Sequence, residues 1–173
     1  MSASKTLSGT QIILSIALAG LIGEVAFEFY AWLVSPILFD VVLQPSNLVI
    51  AITAKLTGLQ MSKALAFPIH FLIGSLGFGL LVYATRLVMP ARVWLTGTIS
   101  GLILWFVAQG LLAPFIGRSF MMDFGTYTQS SFIGHVGMTL LMAHLLAAFL
   151  SYFDSKSGID HPLVQATAVQ AQQ

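Results

Sequence analysis

Four apolar stretches, each interrupted by only a few polar positions, run along this chain. The first starts near Ser8 to Gln11, where Ser8 and Thr10 can cap a helix, and stops near Pro36 to Leu38, where proline disfavours continuation. The others cover Ala64 to Met89, Val93 to Ile116 and Phe132 to Phe153. Every stretch exceeds the ~18 apolar residues a helix needs to cross about 30 Å of hydrocarbon. The pattern predicts four membrane spans, at 11–38, 64–89, 93–116 and 132–153. Between the first two lies "FDVVLQPSNLVIAITAKLTGLQMSK", too polar for a span. Pro45-Ser46-Asn47 is a helix-start signal, and Leu48, Ile52, Leu56 and Leu59 form an apolar stripe, which predicts a short interfacial helix over 46–60. Lys5 followed by "IILSIALAG" imitates a secretory signal. The apolar stretch continues well past Ala19, so this segment reads as an uncleaved first span.

Composition agrees with the pattern. The chain is 57% hydrophobic and 8% charged, with mean hydropathy +0.92, against roughly 25% charged residues in a soluble domain. The expected fold is all-α: one four-helix transmembrane bundle over 1–153, followed by a small, Gln-rich tail over 154–173 that reads as disordered. A net charge of +1 leaves no basic stripe to neutralise phosphates, which excludes nucleic acid as a partner. Without cysteine there is no disulfide, thiolate metal site or iron–sulfur cluster. Any metal must be held by His, carboxylate, Met or carbonyl groups. Lys5, Arg86, Arg92 and Lys156 fall on one side of the bundle, and Lys55, Lys63 and Arg118 on the other. The short "RLVMPAR" loop carries the positive-inside signal best, so both termini are expected to be cytoplasmic.

The candidate chemistry lies in the polar residues that interrupt the spans. Glu24 and Glu28 are the only glutamates, and both fall inside the first span. A carboxylate in hydrocarbon costs at least ~2.5 to 3.5 kcal/mol and turns inward to a partner or water. Glu28 lies about eight residues before the end of its span, Gln109 about eight before Gly117, His70 about six into the second span and His135 about three into the fourth. At ~1.5 Å per residue all four fall within roughly 5 to 12 Å of the outer surface. Glu24 sits one turn deeper on the face of Glu28. Two carboxylates so close do not both ionise easily without a cation. Gly20, Gly74, Gly77, Gly97 and Gly101 suit close helix packing around such a strip, and Trp105 is placed to wall it. His144 is out of phase with His135, and Met121 with Met122 reads as surface packing. Ser130 and Ser131 read as caps of the last helix, and Tyr30, Trp32, Trp94 and Tyr127 as interfacial aromatics.

The leading expectation is a non-enzymatic membrane protein whose outer-leaflet site, built from Glu24, Glu28, His70, Gln109, His135 and Trp105, binds or relays a proton, metal ion or small polar ligand. Glu28, His70 and His135 form a reasonable ligand set for Zn, Fe or Cu. Four short helices are too few for a complete alternating-access transporter alone, which makes a homo-oligomer an expected form. One alternative is an accessory or anchoring subunit of a larger respiratory or photosynthetic complex, in which the polar groups only lock helices. Another is a redox protein holding haem b between His70 and His135, or a quinone.

The second half of the chain resembles the YagU-like proteins, small polytopic proteins of the bacterial inner membrane. The resemblance rests on His70, the turn Pro90 to Trp94, the run "WLTGTISGLILWFVAQGLLAPFIG" with Gly97, Gly101, Pro114 and Gly117, and Gly134-His135 in "SFIGHVG". It implies a four-helix inner-membrane fold in which His70 and His135 are positions of interest. The family has Gln and His where this chain has Trp105 and Gln109, and no counterpart to Glu24 or Glu28. Roles for those residues therefore do not follow from the resemblance.

Overall fold

The computed structural model describes residues 7–89 and 92–157. Lys5, Pro90, His161 and the rest of the tail lie outside the described residues. All regular structure within them is helical. Four helices are long and apolar enough to cross a membrane: α1 (Gly9–Phe39), α3 (Lys63–Val88), α4 (Val93–Phe115) and α5 (Thr126–Ser157). The protein is thus an all-α, multi-pass membrane protein. A shorter apolar helix, α2 (Ser46–Thr57), joins α1 to α3.

Local chemistry explains most helix ends. Ser8 and Gln11 form a reciprocal capping box on α1: the Gln11 N–H donates to Ser8 Oγ at 3.3 Å and the Ser8 N–H donates to Gln11 Oε1 at 2.9 Å. Ser62 caps α3 through the Leu65 N–H. Helix α2 stops at Thr57, where Gly58 takes the left-handed conformation.

Helix α5 differs most from the sequence expectation. It begins at Thr126 rather than Phe132, so Ser130 and Ser131 are interior residues rather than caps. It also runs on to Ser157, which makes residues 154–157 helical where disorder was expected. Polar side chains near its start are buried against other helices, so hydropathy alone understates the span.

Three helices contain π-helical turns, at Tyr30–Val34, Ile73–Phe78 and Val107–Leu112. Two of these have an evident cause. The Ser35 N–H reaches the Tyr30 carbonyl and the Ala113 N–H reaches the Ala108 carbonyl, each five residues back. The residues that follow, Pro36 and Pro114, have no N–H and would crowd the carbonyl four residues back. A widened turn relieves that crowding, and such turns recur at functional sites.

Helix α5 is central and packs on α4 and α1, while α1 also packs on α3. The α4–α5 seam is close because Gly97 and Gly101 carry no side chain. A Cβ at Gly97 would stand 2.7 Å from the Leu140 Cα, and one at Gly101 2.6 Å from the Val136 Cα. Thr139 reaches across the same seam to the Gly97 carbonyl at 2.8 Å. Phe27, Met138, Met142, Leu146 and Leu150 fill the interior. Large apolar side chains such as Ile13, Ile37, Leu72 and Val88 point outward, as expected where the surroundings are lipid. Between α4 and α5, Met121 to Phe124 all take positive φ, a left-handed run that costs ~1–2 kcal/mol per residue. The Thr128 hydroxyl fixes it by donating to the Met121 carbonyl at 2.6 Å.

Candidate functional site

Glu24 is fully buried, and its carboxylate crosses from α1 to the face of α3. It fits there because Gly74 lies opposite: a Cβ at that position would overlap the carboxylate itself. His70, one turn before Gly74, turns Nε2 toward both acids. That nitrogen stands 3.2 Å from Glu24 Oε1 and 4.0 Å from Glu28 Oε1. Ligating atoms of Glu24, Glu28 and His70 all lie within 4.8 Å of one another.

The second oxygen of Glu28, Oε2, accepts a hydrogen bond from Trp32 Nε1 at 2.8 Å. Trp32 sits in the π-helical turn of α1, so the indole expected at the interface instead orients an acid. The other facing atoms have no hydrogen-bond partner: both oxygens of Glu24, Glu28 Oε1 and His70 Nε2 are buried and unsatisfied. His70 Nε2 and Glu24 Oε1 are close enough for an ion pair but lack hydrogen-bond alignment. Among the described residues, no lysine or arginine pairs with either acid.

The trio brought together is therefore Glu24, Glu28 and His70, not Glu28, His70 and His135. His135 belongs to a second polar group. Its Nδ1 lies 2.7 Å from the Ser131 carbonyl and 3.2 Å from Ser131 Oγ. A carbonyl only accepts, so Nδ1 carries the proton. Gln109 Nε2 donates to Ser131 Oγ at 3.1 Å, which links α4 to α5. The edge of Phe27 meets the His135 ring at a centroid distance of 5.6 Å. Haem held between His70 and His135 does not fit this geometry, because His70 Nε2 faces the acid pair.

Trp105 is not part of either group. Its indole N–H donates to the Thr128 carbonyl at 3.1 Å and its ring meets Phe132 edge-on, so it fastens α4 to α5.

A scan of family models, curated proteins and solved structures finds no match to this chain. The site must be read from its own geometry.

His70, Gln109, Ser131 and His135 all line one cavity of about 180 Å³. Most of its remaining wall is apolar, and Leu48, Val49 and Ile52 of α2 form one side. The stripe on α2 is thus divided: Leu48 and Ile52 face the cavity, whereas Leu56 is exposed. Lys55 lies 5.0 Å over the Phe115 ring, which ties α2 to the end of α4. Gln44 and Arg118 come from the two connections at this end of the bundle and also line the cavity.

Sequence reasoning missed Ser131, Trp32 and the role of Gly74 opposite Glu24. It also missed a third polar group, in which Ser130 Oγ lies 2.9 Å from the Tyr30 hydroxyl and 2.6 Å from Ser35 Oγ. A signal existed for Ser131, which stands four residues before His135 and hence on the same helix face.

Proposed function

We propose that this protein binds a divalent transition-metal ion between α1 and α3, with Glu24, Glu28 and His70 as its protein ligands. One observation carries the reading: a fully buried glutamate has two unsatisfied oxygens and faces an unsatisfied imidazole nitrogen and a second carboxylate. Leaving an ionised carboxylate unpaired at such a place costs several kcal/mol. A divalent ion cancels the charge of both acids and satisfies every facing atom at once.

The spacing supports the same reading. Ligands ~2.0–2.2 Å from a tetrahedral or octahedral ion stand roughly 3.0–3.5 Å apart. The 3.2 Å edge between His70 and Glu24 meets this, and the 4.0 Å edge to Glu28 closes with a small rotation of its carboxylate. An imidazole among the ligands favours Zn, Fe, Ni or Cu over Mg or Ca. Trp32 bonds the far oxygen of Glu28 and so directs the near one inward. Placement in a bacterial inner membrane, with both termini cytoplasmic and the site nearer the outer face, belongs to the proposal. The short basic loop and the YagU-like pattern support that placement.

The test is thermal unfolding of chelator-stripped protein in detergent, with added Zn²⁺ or Ca²⁺. Zinc is expected to raise the melting temperature at micromolar concentration and calcium to leave it unchanged. Equal responses to both ions, or none to zinc, would refute the proposal.

A further inference from the structure

A second ligand site lies beside the acid cluster, in the cavity whose walls include His70, Gln109, Ser131 and His135. At about 180 Å³ it is of ring size, since an apolar cavity of ~150 Å³ holds benzene. Its apolar surfaces come from Leu104, Val107 and Leu112 of α4 and from Leu48 and Ile52 of α2. Gln44, Arg118 and Tyr127 supply donors to other parts of its lining, but the Gln109–His135 side lacks a free one. Gln109 spends Nε2 on Ser131, and its Oε1 is buried with no partner although the side chain is only 7% exposed. His135 spends its Nδ1 proton on the Ser131 carbonyl. In the neutral ring the remaining nitrogen, Nε2, is then an acceptor.

A buried, unpaired acceptor beside this ring-sized space calls for a ligand that donates. We infer that the cavity binds the ring of a membrane-soluble phenol or quinol, with a ring hydroxyl donating to Gln109 Oε1. The oxidised quinone offers only carbonyl acceptors, so it leaves Gln109 Oε1 unpaired and loses affinity. A buried group left without its partner costs ~1–3 kcal/mol, which corresponds to roughly a 5- to 150-fold preference for the reduced ring. The inference does not depend on metal binding, because none of its hydrogen bonds involves Glu24 or Glu28.

The experiment titrates purified full-length protein anaerobically with a short-chain benzoquinol and, separately, with the corresponding benzoquinone, following intrinsic tryptophan fluorescence. The quinol is expected to bind at least fivefold more tightly than the quinone. Gln109→Leu removes the acceptor and is expected to abolish that preference. Leu48→Trp, on the part of the cavity wall supplied by α2, fills the space without touching the Gln109–Ser131–His135 group and is expected to weaken both ligands at least tenfold. Together they keep the test decisive if Gln109→Leu fails to fold. Equal binding of quinol and quinone by the wild type, or unchanged binding in Leu48→Trp, would overturn the inference.

Discussion

Two polar regions of this bundle both involve α1 but differ in how their atoms are satisfied. Where α1 meets α5, Tyr30, Ser35 and Ser130 form a closed group, and Ser35 completes it by donating to the Val41 carbonyl at 2.6 Å. Where α1 meets α3, Glu24, Glu28 and His70 face one another with four atoms unsatisfied. The first arrangement is how polar groups hold helices together in lipid, worth about 1 kcal/mol per bond. The second would be an expensive way to do the same, because unneeded buried charge is removed at little cost. The closed group stabilises the fold by itself, whereas the open one leaves four buried atoms for a ligand to satisfy on the proposed reading.

The comparison breaks most directly at Glu24. Glu24→Gln is expected to reduce zinc affinity at least 100-fold and to stabilise the metal-free protein by ~1–3 kcal/mol, since it removes a buried carboxyl whose oxygens have no hydrogen-bond partner. Zinc titration and chemical unfolding of the same preparation measure both effects. A purely structural Glu24 would give the opposite sign in the second measurement. Next in size is Gly74→Ala, whose new methyl group would occupy the position of the Glu24 carboxylate. It is expected to cost ~1–3 kcal/mol and to weaken zinc binding together with stability, as seen by thermal unfolding with and without zinc.

Trp32→Phe sharpens the contrast from the other side. It removes the donor to Glu28 Oε2 but no metal ligand, so zinc affinity should fall about tenfold while unfolding in the absence of metal is nearly unchanged. Ser130→Ala is the control within the closed group. It should cost ~1 kcal/mol of stability, measured by unfolding, and leave zinc affinity as it was.

These variants also show which parts of the molecule were legible in the sequence. Apolar run length fixes a span wherever the side chains meet lipid, so α1, α3 and α4 lie close to their expected bounds. The start of α5 was hidden because Thr128, Ser130 and Ser131 are buried polar residues satisfied within the bundle, and hydropathy cannot distinguish these from a loop. The site was legible as far as depth and helical phase go, which place Glu28, His70, Gln109 and His135 near one level and Glu24 one turn deeper. That Glu24 rather than His135 joins Glu28 and His70 was not legible, because it depends on which helices are neighbours. Gly74 admits the Glu24 carboxylate to α3, while Ser131 engages His135 on its own helix. The π-helical turns were half visible: Pro36 and Pro114 mark two of them, whereas no residue of that kind marks the turn at Ile73–Phe78.

Calorimetric titration of zinc into chelator-stripped wild-type protein and Glu24→Gln, at neutral pH in detergent, tests the central claim. The account predicts one zinc ion per chain in the wild type and no saturable binding in the variant. A wild type that takes up no zinc, or a variant that binds it as tightly as the wild type, would contradict it.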